Sequence, residues 1–293
     1  MRVLSAKRFS PIGLDIGTGA IKMAQLEQIG ERSRVVALAQ YELSVASDAP
    51  EERLEAIRLG ISNLVRRGIF QGRDLVLTLN SQQLFVQNIR LPQIAPEELE
   101  KVVRWEAEER LPDDFGDAEV RHLMAGEVRT GTGAGEGAES RHEVILLACR
   151  RKELNELIEL LESQRLRPLA ADIQACALVR ASQASLRRKS DEQTGLLFLD
   201  VGCGMTKAVV TRGQEILLIK PLPMGGRSMD RLVARRLNLS PEDAAVIRRQ
   251  WMDGETDGAD PELSRAVGEA VRSEIESLAN ELLMCIRYHN VTF

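Results

Sequence analysis

The chain has 293 residues with a formal net charge of −5 at pH 7, and 44% of its residues are hydrophobic. This length and hydrophobic content suit one large domain or two medium domains, and the acidic balance argues against a nucleic-acid-binding protein. The sequence contains neither a signal-peptide pattern nor an apolar run of the roughly 18 residues that a membrane helix needs, so we expect a cytoplasmic protein.

The first part of the chain predicts an α/β unit. Residues 11–28 predict two strands joined by a glycine loop, residues 35–43 a third strand, and residues 74–79 a short buried strand. Residues 51–67 place apolar side chains on one helical face, and Gly68 follows as a typical helix end. We therefore expect a strand meander, a helix and a further strand within residues 1–81.

A block of different character occupies residues 82–166, which we interpret as an inserted α+β subdomain. The predicted elements are a strand at 83–91, a helix at 96–110 stopped by Pro112, paired strands at 119–128 and 142–149, and a helix at 152–164. The glycine-rich stretch 129–141 lacks a strand–helix context and a lysine, which favours a flexible hairpin tip over a phosphate site.

The chain then returns to the first domain, which we assign to residues 1–81 and 167–190, before a second domain at 191–293. The return is a strand at 169–173, a helix at 174–184 and a polar linker at 187–193. The second domain predicts strands at 195–199 and 216–221, helices at 229–237, after the Ser240 cap and at 262–289, and an acidic loop at 253–261. The apolar residues aligned along the last helix are Val267, Val271, Ile275, Leu278, Leu282 and Ile286.

Two glycine loops, residues 15–22 and 200–207, repeat one pattern: Asp, apolar, Gly, any, Gly, any, any, Lys. Each lies between two strand-like runs, which predicts the tip of a β-hairpin. Glycine permits a positive φ or the close approach of a ligand, and successive amides form an anion site. An aspartate cannot bind phosphate directly but can hold Mg²⁺ or its water shell. The pair therefore predicts two hairpins that clamp the phosphates of a nucleotide.

Other motifs are excluded by spacing. Neither loop ends in Gly-Lys-Ser/Thr, as a P-loop would, and no helix pattern opens after the glycines, as a dinucleotide fingerprint requires. The cysteines, Cys149, Cys176, Cys203 and Cys285, have no metal-ligand spacing, so we expect free, buried thiols. The structural alternatives are two unrelated glycine turns and, for Lys22, a solvated charge at a strand end.

These motifs resemble a known group of proteins. The two loops resemble the phosphate motifs of the actin-like ATPase superfamily, and residues 172–178 resemble its first connecting motif. Within it, residues 104–108 (Arg-Trp-Glu-Ala-Glu) before Pro112, and the Gly225-Gly226 turn, resemble the type IV pilus assembly PilM family, relatives of FtsA. The resemblance implies an α/β, actin-like (ribonuclease H-like) two-domain fold with the inserted subdomain. It also implies a further strand after Phe293, so we expect the sequence to be C-terminally incomplete.

The resemblance implies a site for ATP and Mg²⁺ with at most slow hydrolysis. Asp15 and Asp200 would hold Mg²⁺, mostly through water, Lys22 would offset phosphate charge, and Gln174 would position a water. The other implied nucleotide-binding residues are Gly17, Thr18, Gly19, Ala20, Gly202, Cys203, Gly204, Met205, Thr206, Gly225, Gly226 and Glu281. Cys203 and Lys207 depart from the pattern of the superfamily.

The resemblance further implies a scaffold in the inner-membrane complex of the type IV pilus or the related type II secretion system, attached to the membrane only through partners. The inserted subdomain would bind the cytoplasmic tail of a PilN-like protein, with Leu84, Val86 and Trp105 as candidate contacts. Core packing is the alternative for Trp105, and self-association stays open. The competing functions are a small-molecule kinase, with Asp172 as its catalytic aspartate, and an FtsA-like membrane tether.

Overall fold

The computed structural model describes residues 8–30, 32–43, 49–130, 139–182, 188–254 and 260–293. The strands are β1 (Arg8–Phe9), β2 (Ile12–Ile16), β3 (Ala20–Ile29), β4 (Arg32–Glu42), β5 (Asp74–Leu79), β6 (Leu84–Pro92), β7 (Ala118–Thr130), β8 (Glu139–Arg150), β9 (Arg167–Ile173), β10 (Gly195–Val201), β11 (Thr206–Arg212) and β12 (Glu215–Leu222). The helices are α1 (Pro50–Arg66), α2 (Pro96–Arg110), α3 (Arg151–Ser163), α4 (Gln174–Ser182), α5 (Gly226–Leu237), α6 (Pro241–Met252) and α7 (Pro261–Thr292).

The packing of the chain divides it into two compact units. The first comprises Met1–Phe85, Glu106–Val120 and Ala148–Leu178, and the second comprises Val86–Trp105, Arg121–Leu147 and Val179–Phe293. Both are assembled from segments that are distant in sequence. The predicted domain boundaries stay a prediction, since these units are defined by packing alone.

A six-stranded sheet of described strands organises the first unit. β2, β3 and β4 form an antiparallel meander with β1 on β3, while β2, β5 and β9 run parallel. Alternate residues of β2 and β5 are buried, as a sheet with one packed face requires. They pack with α1 and α3, and Gly60 lets α1 approach closely, since an added Cβ would lie 2.7 Å from Cδ1 of Ile21.

The second unit contains an antiparallel sheet in the order β10-β11-β12 and the helices α5, α6 and α7. Val267 and Val271 of α7 pack with α5 and α6, and Cys285 further along packs with β11. Two of the aligned apolar residues of α7, Ile275 and Ile286, are 45% and 43% exposed. The neighbouring elements therefore cover a narrower arc of the helix than its apolar side chains span.

The third sheet has the order β6-β8-β7, which confirms the predicted pairing of the strands at 119–128 and 142–149. Its central strand β8 is buried over residues 143–149, as a continuous apolar run on a middle strand predicts. α2 buries Leu99, Val103 and Ala107, whereas Trp105 is 55% exposed, so core packing is the wrong interpretation of that tryptophan.

A buried carboxylate joins β8 to β6 and α7 within the second unit. Glu143 is 1% exposed and accepts hydrogen bonds from Arg90 Nε at 3.0 Å and from Asn88 Nδ2 at 3.2 Å. The hydroxyl of Tyr288 on α7 also donates to Glu143, and Arg90 donates to Thr292 at 3.3 Å. The last turns of α7 are therefore fixed on the sheet by a charge-assisted network.

Several predictions concern loops that the structure describes only in part. Residues 131–138 of the predicted hairpin tip, 183–184 of the predicted helix, 187 of the predicted linker and 255–259 of the predicted acidic loop lie outside the described residues. The described part of the linker contains a 3₁₀ turn, Lys189–Gln193. The four cysteines are free thiols, as predicted, but the prediction that they are buried is right only for Cys149 and Cys285 and wrong for Cys176 and Cys203, which are half-buried. Within the described ranges, no helix combines the length and hydrophobicity that crossing a membrane demands.

Candidate functional site

Both glycine loops are the tips of antiparallel hairpins, as their sequences predict. In the first hairpin, β2 and β3 place Asp15 directly opposite Lys22. In the second, β10 and β11 place Asp200 directly opposite Lys207. Because cross-strand partners lie on the same face of a sheet, each aspartate shares a face with the lysine of its own loop.

The two loops close with the same internal hydrogen bond. The amide of Gly17 donates to the carbonyl of Ala20 at 2.9 Å, and the amide of Gly202 donates to the carbonyl of Met205 at 3.1 Å. An added Cβ on Gly202 would lie 2.7 Å from that carbonyl oxygen, so the turn requires glycine for space. The amides of Gly17 and Gly202 are thus used within their own turns. An anion-binding role for the amides of residues 18 to 20 and 203 to 205 stays a prediction.

A row of polar side chains crosses the sheet of the first unit at the level of Asp15. Asp15 is paired with Lys22 of β3 and with Thr78 of β5, Lys22 with Gln40 of β4, and Thr78 with Asp172 of β9. All five side chains therefore share one face. The row lies near the carboxyl ends of three parallel strands, which is where α/β sheets bind ligands.

The carboxylate of Asp15 is held in place by two neutral donors. Thr78 Oγ1 donates to its Oδ1 at 3.1 Å, and Gln174 Nε2 donates to the same oxygen at 2.5 Å. Gln174 reaches it because α4 begins immediately after β9, the neighbour of β5. The predicted metal-binding aspartate and the predicted water-positioning glutamine are therefore in direct contact.

A groove of about 610 Å³ lies along this face of the sheet. Its polar end is formed by Asp15, Lys22, Gln40 and Thr78, and its floor by small and apolar residues, namely Gly13, Ala24 and Leu38. Gln40 and Thr78 belong to no motif in the sequence, and Asp172 is predicted only as part of the connecting motif and as a kinase candidate. Their shared row follows from strand register, which no local sequence pattern contains.

The second loop carries its own counter-ion. Nζ of Lys207 lies 2.8 Å from Oδ2 of Asp200, and the lysine side chain is only 9% exposed while that of the aspartate is 43% exposed. By contrast, Lys22 in the first loop is exposed. The two loops thus share a backbone pattern but differ in electrostatics, because the carboxylate of Asp200 is neutralised from within the protein.

The Gly225-Gly226 turn packs directly against the second loop. The amide of Gly226 donates to the carbonyl of Gly202 at 2.9 Å, and the amide of Arg227 donates to that of Cys203 at 2.7 Å. A Cβ on Gly225 would lie 2.6 Å from the Gly202 oxygen. The Gly225-Gly226 turn therefore supports the second loop through direct backbone contacts.

The other predicted residues are more dispersed. Thr206 donates to the carbonyl of Met224 at 2.7 Å, and Thr18 and Gly204 are half-buried in their loops. Glu281 lies one turn before Cys285 on α7, and burial followed by this carboxylate raises the pKa of the Cys285 thiol against the opposing effect of Lys220. Among the residues described, no three His, Cys, Asp or Glu side chains converge as a metal site.

The chain matches a family and several solved structures. The family model described as type IV pilus assembly protein PilM matches residues 13–255. The chain is 22% identical, with a TM-score of 0.76, to a chain of the PilM-PilN type IV pilus biogenesis complex, over 96% of this chain and 77% of that one. It is 14% identical, with a TM-score of 0.51, to the ethanolamine utilization protein EutJ from Carboxydothermus hydrogenoformans, over 96% and 72%.

These likenesses confirm the predicted actin-like α/β fold. The family match covers the first glycine loop, the β6-β8-β7 sheet, the second glycine loop and the Gly225-Gly226 turn. Because that match extends over well more than half of the sequence, the chain belongs to the type IV pilus assembly protein PilM family.

Proposed function

We propose that this chain is a nucleotide-binding scaffold of the type IV pilus assembly complex at the inner membrane, and that it binds the cytoplasmic tail of a PilN-like protein. Family membership supports the assembly role, and the complex to which the chain is similar contains PilM and PilN. The observation that carries the nucleotide part is the polar row through Asp15, with Gln174 hydrogen-bonded to that carboxylate.

In this proposal, ATP places its phosphates at the first loop. The amides of residues 18 to 20 and the exposed ammonium group of Lys22 would bind phosphate oxygens. Asp15 fits a role in holding Mg²⁺, since carboxylate and water oxygens are the ligands that this ion prefers. The bound ion would supply positive charge next to the phosphates. Asp200 does not fit as well, because Lys207 already neutralises it.

Gln174 is the residue that we propose to orient a water near the phosphates. Its amide nitrogen is bound to Asp15, so the side chain is fixed rather than free to rotate. The side-chain amide of Gln174 can orient a water but cannot take up its proton as a general base would. We therefore propose slow hydrolysis. The nucleotide would serve mainly to select a conformation of the protein.

For the partner, we propose that the tail of a PilN-like protein adds to strand β6. This strand lies at the edge of its sheet, and an exposed edge can pair with an extended peptide. Leu84 and Val86 on β6 are half-buried, and Trp105 on α2 offers a large exposed apolar surface. An aromatic side chain of this kind is a typical binding hot spot.

Nucleotide binding is tested by titrating the 293-residue chain with ATP in the presence of Mg²⁺ or of a chelator. Asp15→Asn should abolish the difference between the two conditions, a loss of roughly tenfold or more in affinity with Mg²⁺. Asp74→Asn is the matched control, because Asp74 lies at the opposite end of β5 and pairs with Arg167. Wild-type affinity and Mg²⁺ dependence in Asp15→Asn would contradict the proposed site.

Partner binding is tested with a fluorescent peptide corresponding to the cytoplasmic tail of a PilN-like protein. Trp105→Ala should weaken binding by about tenfold or more, as expected for a hot-spot residue. Met252→Ala is the control, since Met252 is 53% exposed and lies on α6, which is not part of the β6-β8-β7 sheet or of α2. Equal losses in the two variants would show that the effect is not specific to α2.

A further inference from the structure

An open groove runs along the first half of α7 in the second unit. It has a volume of about 840 Å³ and is lined by α7 residues from Pro261 to Glu276 and by Trp251 of α6. Trp251 is fixed there: its Nε1 donates to Ser264 at 3.1 Å, and an added Cβ on Gly268 would lie 3.2 Å from its ring. Ile275 is 45% exposed at the groove. The groove therefore has a rigid, partly apolar floor.

Four charged side chains line the groove with alternating sign. They are Arg265, Glu269, Arg272 and Glu276, and their spacing of four, three and four residues keeps them on one face of the helix. All four residues are exposed. Read from either end, the spacing is the same while every sign is reversed. The face is therefore complementary to an antiparallel copy of itself.

The pairing in such an arrangement is fixed by the sequence. When two copies of α7 cross antiparallel about a two-fold axis between residues 270 and 271, Arg265 faces Glu276 and Glu269 faces Arg272. Each pair occurs twice, which is the reciprocity of an isologous interface.

Within one chain, Arg265 and Glu269 already take part in exposed ion pairs. Arg265 lies 3.8 Å from Glu269, and in both i,i+4 pairs the arginine precedes the glutamate, which is the less favourable order along a helix. Glu269 also pairs with Arg236 of α5 at 3.1 Å. Such exposed ion pairs contribute little to the stability of the chain, so they can be exchanged for pairs to another molecule.

We propose that the groove on α7 binds α7 of a second copy of this chain, antiparallel, with Arg265 paired to Glu276 and Glu269 to Arg272 in both directions. A two-fold interface of this kind closes with two copies and does not extend into a filament. The occupant of the groove is thus a helix of the same chain, and the exposed Ile275 is covered in the dimer.

The experiment uses sedimentation velocity over a range of concentrations with two charge variants of the full 293-residue chain. Arg265→Glu with Arg272→Glu makes the face uniformly negative, and Glu269→Arg with Glu276→Arg makes it uniformly positive. Each variant alone should associate roughly ten- to a hundredfold more weakly than wild type, because every pair between the two helices then carries like charges. An equimolar mixture should restore the dimer, since every pair between the two helices is then oppositely charged.

Exchange of Glu55 and Arg58, an exposed ion pair on α1, is the control and should leave association unchanged. Circular dichroism checks that each variant is folded, and recovery in the mixture excludes misfolding as the cause of dissociation. A wild-type chain that stays monomeric, variants that dimerise as well as wild type, or a mixture that stays monomeric would each overturn the proposal.

Discussion

Replacement of Tyr288 by phenylalanine tests the network that holds the end of α7. The substitution removes one hydrogen bond to Glu143, a carboxylate that is 1% exposed, while Arg90 and Asn88 keep theirs. A hydrogen bond to a buried charged group contributes about 1.5–3 kcal/mol. Phenylalanine fills the same space, so no cavity is added. We expect Tyr288→Phe to lower the unfolding free energy of the second unit by this amount.

The pH dependence gives the same prediction a second readout. Burial, followed by the hydrogen bond and the charge of Glu143, raises the pKa of Tyr288 well above its ordinary value. A tyrosine in the unfolded chain loses its proton near pH about 10. The contribution of Tyr288 is therefore complete below that pH and declines as the pH rises above it, because only the unfolded state releases the proton there. The difference between wild type and Tyr288→Phe should shrink accordingly.

Urea unfolding followed by tryptophan fluorescence measures this effect directly. Both tryptophans, Trp105 and Trp251, belong to the same unit as Tyr288, so their signal reports the unfolding of that unit. Tyr41→Phe makes the same chemical change in the first unit, outside the Glu143 network, so it should shift the unfolding of the second unit by less than about 0.5 kcal/mol. If the two variants are equally stable at neutral pH, the network does not hold the helix.

Two further predictions concern the second loop. Gly225→Ala should lower the unfolding free energy by about 1–3 kcal/mol, because the added Cβ would lie within 2.9 Å of three backbone atoms, whereas Gly195→Ala, with no described atom within 4 Å, should be neutral. Equal stability of these two alanine variants would contradict the close packing of loop and turn. Asp200→Asn should lower the unfolding free energy by about 1–2 kcal/mol, because the buried ammonium group of Lys207 loses its counter-ion. The loss stays moderate because the carboxylate of Asp200 is partly exposed. A change below about 0.5 kcal/mol would show that another group balances the charge of Lys207.

The elements with strong local signals could be predicted from the sequence. α2 occupies the predicted residues 96–110, because Pro96 and the acidic first turn favour its start and Pro112 prevents its continuation. The two hairpins follow from the glycines that allow their tight turns and from the strand-like runs on either side. α5, however, begins at Gly226 and not at the predicted Met229, because carbonyls of the second loop accept its first amides.

The features that were missed depend on contacts between distant residues. Asp15 and Thr78 are 63 residues apart, and their pairing follows from the register of two parallel strands. Glu143 and Tyr288 are 145 residues apart, and only the fold brings them together. Glu143 directly precedes the apolar run of β8, which indicates a buried carboxylate. The sequence does not indicate which side chains pair with it.

The hydrogen bonds from the start of α5 to the second glycine loop have a mechanical consequence. The first amides of α5 donate to carbonyls of the second glycine loop, and no side chain separates the two backbones at Gly225. Two backbone hydrogen bonds therefore couple the loop to the helix, and α5 packs in turn on α7. We expect a displacement of the second loop to be transmitted through α5 to the long helix α7.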